Sequence, residues 1–305
     1  MIMYFNREIT CLITGANSGI GKAAAKGLAK LGASIILVSR NHTRGERTLN
    51  ELKQNTGSNK FHLFITDLSS QKSIIDLAAN IKSKFNCIDI LINNAGAYFS
   101  KRHITIDGIE ATLAVNYLSR FFLTNLLLDK VLLSKQGRII NVSGELHRKG
   151  RLNFENMEYP GNYSAFKAVS QSRLADILFV YELSRRLKNT KVTCNCLHPG
   201  FVATNIINND PDSSLLKRII YKSISPFLKS PEKGAETVIY LASSPEVANV
   251  SGKYFIDKKC VQSSPVTYDE DIAKRLWKVS EQMIKVNFPQ NTFFENKFFN
   301  ELNAK

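Results

Sequence analysis

Residues 8–32 constrain this chain more than any other stretch: EITCLIT runs into GANSGIG and then into KAAAKGLAKLG. A β-branched apolar run, a turn with three glycines and an alanine-rich amphipathic run predict, in that order, a strand, a tight turn and a helix. Gly15, Gly19 and Gly21 fall where the backbone must turn sharply and let a ligand approach it closely. The helix behind them offers unpaired N–H groups and the positive end of its dipole, which suits a pyrophosphate. The turn, with Asn17, Ser18 and Ile20 between its glycines, is therefore a candidate dinucleotide site.

The same rhythm continues. Apolar runs at about 8–14, 34–39, 61–66, 88–92, 137–143, 191–197 and 253–256 predict seven strands. Amphipathic runs near 19–31, 43–55, 71–84, 107–134, 161–188 and 232–243 predict helices between them. Strands alternating with helices mean an α/β fold: a single doubly wound Rossmann-type domain, its sheet mostly parallel and covered on both faces. No linker or internal repeat interrupts it, so residues 1–260 are expected to form one catalytic domain and 261–305 an extension rich in paired phenylalanines. An insertion at about 205–230, with Pro211 and Pro226, follows the sixth strand, where such a sheet places its ligand crevice, and is a candidate substrate lid.

Other classes are disfavoured. The longest apolar stretches fall well short of the roughly 20 residues of a membrane-spanning helix, and MIMYFNREIT carries no secretory apolar core, so a cytoplasmic location is expected. The net charge of +15 is spread along the chain with no nucleic-acid-binding motif, so no nucleic acid is expected as a partner. The segment 215–229 mixes apolar and basic residues in a way that fits peripheral contact with an anionic bilayer, though a helix over the active site explains it as well. Cys194 and Cys196 form a C-x-C pair without a second pair or a histidine at ligand spacing, so they are read as core residues and no metal is expected.

The end of the second strand bears on the cofactor. An acidic side chain there accepts hydrogen bonds from an unmodified ribose, whereas an arginine pairs with a 2′-phosphate. This strand ends in Ser39-Arg40-Asn41, with no carboxylate until Glu46. Arg40, with Arg44 and Lys22 as helpers, favours NADP(H) over NAD(H).

TGANSGIG, the Asp67-Leu68 pair after the third strand, NNAG at 93–96 and YSAFK at 163–167 resemble the short-chain dehydrogenase/reductase family over roughly residues 8–256. GRIINVS at 137–143, HPGFVATN at 198–205, SPEKGAETVIYLA at 230–242 and SGKYF at 251–255 look most like its retinol-dehydrogenase-like branch. The resemblance implies an NADP(H)-dependent oxidoreductase moving a hydride between nicotinamide and a lipophilic carbonyl or alcohol. It also implies a homodimer or homotetramer paired through the long fourth and fifth helices. By the same resemblance Asp67 and Leu68 contact the adenine, Asn94, Ala95 and Gly96 line the adenosine ribose side, and Pro199, Gly200, Val202 and Thr204 reach the nicotinamide.

Tyr163 and Lys167, four apart on the helix expected over 161–188, share a face. A lysine ammonium beside a tyrosine lowers the phenol pKa from near 10, which makes Tyr163 the candidate proton donor and acceptor. The family pattern adds Lys167 to the cofactor ribose and gives Asn116 a role in bending its helix and holding a relay water. It also expects two small hydroxyl residues after the fifth strand, the second binding the substrate oxygen. Here the pair is Ser143-Gly144, so the donor position holds glycine. Ser143 takes the role only if the strand end twists or bulges; Glu145 and His147, the latter read as an exposed loop histidine, are other nearby groups. An alternative function follows from that gap, a weakly active NADP(H)-binding sensor or scaffold.

Overall fold

The computed structural model describes residues 5, 7–159, 161–202, 210, 212 and 228–284. Among the described residues eight strands form one sheet: β1 Thr10–Thr14, β2 Ser34–Ser39, β3 Phe61–Ile65, β4 Ile90–Asn93, β5 Arg138–Val142, β6 Thr193–His198, β7 Tyr254–Ile256 and β8 Lys259–Val261. Their order is β3-β2-β1-β4-β5-β6-β7-β8, and every pairing is parallel except β7 with β8. β1 therefore lies between β2 and β4, and the chain leaves it in opposite directions. That reversal opens a crevice at the C-terminal ends of β1 and β4, where doubly wound sheets bind their ligands.

The helices are α1 Gly19–Lys30, α2 His42–Thr56, α3 Gln71–Lys84, α4, α5 Ala165–Arg186, α6 Pro231–Ser243 and α7 Glu270–Met283. Helix α4 runs as Ala111–Leu113, a π-helical Ala114–Leu118 and Ser119–Leu132. Two apolar cores flank the sheet because successive strand residues face opposite ways. Leu12, Ile36, Leu91, Ile139, Cys194, Cys196 and Tyr254 pack towards α3, α4, α5 and α7. Cys11, Ile13, Ile35, Ile92, Ile140 and Leu197 pack towards α1 and α6. Both faces being covered explains why the strands read as continuous apolar runs.

The sheet has eight strands rather than the seven expected. Strand β8 returns through Asp257 and Lys258, both with positive φ (47° and 66°), a tight hairpin turn made without the Asn-Gly or Asp-Gly signal that normally announces one. Residues 261–284 do not stand apart from the body, since Ala273, Leu276, Trp277 and Ile284 are buried in the first core. Two helices begin later than expected. Glu110 caps α4 by accepting from the Thr112 and Leu113 N–H groups, both at 2.8 Å. Ser164 caps α5 through the Lys167 N–H, so α5 starts at Ala165 and leaves Tyr163 outside it.

Candidate active site

The cofactor side of the crevice is made of backbone. Ser18 stands at the N-cap of α1 without a side-chain cap, whereas α2, α3, α5, α6 and α7 are each capped by a side chain. The first N–H groups of α1 thus face the glycine turn unclaimed, the arrangement that receives a phosphate. Gly15 has φ +65°, and a Cβ on Gly21 would meet Asn94 Nδ2 and the Gly15 carbonyl oxygen at 2.5 Å. The turn is therefore packed against the loop after β4, which leaves no room for a side chain. Thr14 holds the two together, its hydroxyl accepting from the Asn94 and Ala95 N–H groups at 3.0 Å. Asn94 Nδ2 donates to Thr14 O at 2.9 Å, Asn17 O accepts from the Thr48 hydroxyl, and Ile20 packs on the second core.

At the outer end of this side, Arg40 is exposed where β2 stops. Lys22 is ion-paired with Glu51, which Arg47 also contacts; its expected help to Arg40 is thus redirected to a carboxylate. Asp67 is exposed and accepts from Ser69, and Leu68 is partly buried against the first core. On the other flank Pro199, Gly200 and Val202 follow β6, with Val202 bridging to Lys229. Thr204 and most of the expected lid over 205–230 lie outside the described residues, as does the chain beyond 284.

A buried polar network underlies the crevice. Arg120, 2% exposed, donates to Asp176 at 2.7 Å, to Val142 O at 2.9 Å and to Ala95 O at 2.7 Å. Asp176, fully buried, also accepts from Asn141, whose Oδ1 accepts from Asn93. One arginine thus ties the loop after β4 to the end of β5. Asn116 lies in the π-helical stretch of α4, a departure that often marks functional segments. Its amide pairs reciprocally with Ala97, accepting from the N–H at 2.7 Å and donating to the carbonyl at 2.9 Å.

The structure does not bring Tyr163 and Lys167 together. The Tyr163 hydroxyl donates to Phe99 O at 3.1 Å and lies 3.0 Å from the Thr112 hydroxyl and 3.3 Å from Glu110 Oε1. Burial first, and then the Glu110 charge, push its pKa up to about 12 against the Thr112 hydrogen bond. Lys167 is exposed and its ammonium makes no hydrogen bond or ion pair among the described residues. The lysine that should lower the phenol is thus absent from it, and a carboxylate stands in its place.

A different cation occupies the end of β5. Arg173 of α5 donates to Val142 O at 3.0 Å, and the Ser143 hydroxyl donates to the Arg173 carbonyl, which turns Ser143 towards the helix. Gly144 is extended, and a Cβ there would meet Arg173 Nε at 3.8 Å and His198 Nδ1 at 4.0 Å, ordinary contacts that a side chain tolerates. His147 is not an exposed loop residue. It is fully buried, and because its Nε2 accepts from the Ser264 N–H, its Nδ1 carries the proton donated to Gly144 O. Burial chiefly lowers its pKa and that of His198. Arg120, Asp176 and Arg173 were not marked by the sequence motifs, and His198 entered only as the first residue of HPGFVATN, with no role of its own. The available signal was charged residues at 173 and 176 beside the apolar run ILFV of a buried helix.

Known proteins resemble this chain in both sequence and fold. A family model described as short chain dehydrogenase matches residues 10–214. Retinol dehydrogenase 14 of Mus musculus is 40% identical over 288 residues, covering 91% of this chain and 86% of the relative. Retinol dehydrogenase 13 of Homo sapiens is 40% identical over 286 residues, covering 92% and 86%. Among solved structures, an uncharacterized protein from Mycobacterium paratuberculosis superposes with a TM-score of 0.74 at 29% identity, covering 94% of this chain and 97% of its own.

Proposed function

The chain belongs to the short-chain dehydrogenase/reductase family of oxidoreductases, and from that premise we propose that it moves a hydride between NADP(H) and a lipophilic alcohol or carbonyl. The observation that carries this reading is the uncapped N-terminus of α1 behind the Gly15–Gly21 turn, a preformed seat for a pyrophosphate at the point where the sheet reverses. Exposed Arg40 at the end of β2, with no carboxylate beside it in the sequence, supports the phosphorylated cofactor. The retinol dehydrogenases among the relatives support a lipophilic substrate.

Bound there, the nicotinamide would supply or accept the hydride. The chain's own residues do the rest: the α1 N–H groups hold the pyrophosphate, Asn94 to Gly96 form the wall opposite the glycine turn, and Asn116 fixes that wall through Ala97. Tyr163 enters as the proton donor. Its phenol, pushed up to about 12, stays protonated through the neutral range, so it has a proton to give in reduction although it is a weaker acid than an ordinary tyrosine, and it opposes base catalysis of oxidation.

A second reading, an NADP(H)-binding protein with little turnover, is favoured by one observation. The Tyr163 hydroxyl is already committed to Phe99 and Glu110 while Gly144 offers no hydroxyl. Following NADPH oxidation against retinaldehyde and long-chain aldehydes, with NADH alongside, separates the two. The first reading expects turnover preferring NADPH and a loss of about a hundredfold or more in Tyr163→Phe. Tight NADPH binding with no turnover on any aldehyde establishes the second.

A further inference from the structure

Arg173 is a cation in an unusual state. Its guanidinium carries five N–H donors, yet among the described residues its side chain makes one hydrogen bond, to Val142 O, and no ion pair. Asp176, the carboxylate of the buried network, is ion-paired with Arg120 instead. Burial, and then the like charge of Arg120, bring its pKa down to about 10, so it remains charged at neutral pH. The Asp176 charge favours the cation from a distance, but a partly buried guanidinium with no ion pair of its own carries a desolvation cost that an oxygen ligand relieves.

Two glycines adjoin it. A Cβ on Gly96 would lie 3.4 Å from Arg173 Nη2 and from Asn116 Oδ1, and one on Gly144 would lie 3.8 Å from Arg173 Nε. The guanidinium therefore spans two side-chain-free positions at the ends of β4 and β5. The same point beside Gly144 is 4.0 Å from His198 Nδ1. That atom is buried, belongs to a residue 8% exposed, and has no hydrogen-bond partner among the described residues. A buried, unpartnered imidazole nitrogen and a guanidinium with unused donors, from different elements, thus converge on one place. It lies on the β4–β5 side of the sheet reversal, where a dinucleotide seated on α1 extends its nicotinamide half.

Lys167 cannot share that place. It precedes Arg173 by six residues on one helix, which at about 3.6 residues per turn puts the two about 120° apart around the axis. The residue on the Arg173 face one turn earlier is Val169, which has no proton to give.

We propose that Arg173, assisted by His198, is the group of this crevice that binds ligand oxygen at the nicotinamide end, an oxygen of the cofactor ribose or of the substrate carbonyl, and that Lys167 takes no part. This rests on the cofactor reading above. Fluorescence titration of NADPH into the purified full chain tests it, with Arg173→Ala, Arg173→Lys, His198→Ala and Lys167→Ala measured alongside wild type and their thermal melts recorded. Losing a hydrogen bond from a charged donor is expected to weaken NADPH roughly tenfold or more in Arg173→Ala. A smaller loss is expected in Arg173→Lys, which keeps the charge but not the fork, and none beyond about twofold in Lys167→Ala. If Arg173→Ala is unfolded, Arg173→Lys carries the comparison. Should the Arg173 variants bind NADPH as wild type, the same proteins are followed through aldehyde turnover: a raised KM or lowered kcat assigns the oxygen to substrate. Unchanged binding and turnover in them, or a loss in Lys167→Ala instead, overturns the proposal. Wild type that binds neither NADPH nor NADH overturns the cofactor reading itself, and this proposal with it.

Discussion

The two sides of the crevice are built from different material. Around β1 and α1 the polar groups on offer are peptide N–H groups, exposed because glycines keep side chains away and Ser18 leaves the helix uncapped. At the ends of β4 and β5 they are side chains: Asn116 from α4, Arg173 from α5, His198 from β6, with Arg120 and Asp176 beneath. A backbone site is set by local spacing and tolerates little substitution. A side-chain site is set by tertiary convergence, and the same space can be filled by a different donor from a neighbouring turn, as Arg173 fills it here.

The comparison breaks most severely at the network both sides share. Asp176→Ala leaves Arg120 buried without its carboxylate, and is expected to cost about 3–5 kcal/mol in urea unfolding. Because Arg120 holds Ala95 on one side and Val142 on the other, cofactor binding should fall with it. A loss below about 1 kcal/mol would mean that the two sides are not tied through this pair. Gly21→Ala addresses the backbone side alone. Its Cβ would overlap Asn94 and the Gly15 carbonyl, so a cost of about 1–3 kcal/mol in the thermal or urea midpoint is expected, together with weakened NADPH binding.

Acid addresses the side-chain side. His147 and His198 have folded-state pKa values below the unfolded value of about 6.5. The unfolded chain therefore binds protons first as pH falls, and stability present above about pH 6.5 should decline below it. In His147→Phe, a denaturation series from pH 7.5 to 5 should show a shallower slope; an identical slope would exclude His147 as a source. The smallest effect belongs to Lys167→Ala, expected within about 0.5 kcal/mol of wild type in stability because the side chain is exposed and unpaired among the described residues.

This difference in material also sets what the sequence reveals. Parallel strands buried on both faces show as apolar runs and the glycine turn shows as spacing, so the doubly wound fold and its crevice are legible in the amino-acid order alone. Strand β8 is not, because Asp257 and Lys258 adopt positive φ without a glycine. The reacting side is legible only in part. YSAFK supplies the right residue types at the right spacing, but Ser164 caps the helix one residue after Tyr163 and turns the pair apart. Gly144 reads as a missing hydroxyl; only the fold shows that Arg173 and His198 face the place it leaves.

The most direct measurement is a crystal structure of the full chain with NADPH, read at the nicotinamide ribose and the space beside Gly144. The account predicts the pyrophosphate on the α1 N-terminus and an Arg173 nitrogen within about 3 Å of a ligand oxygen, with Lys167 in solvent. Lys167 turned inward onto the ribose beside the Tyr163 hydroxyl, with Arg173 still held only by Val142, would contradict it.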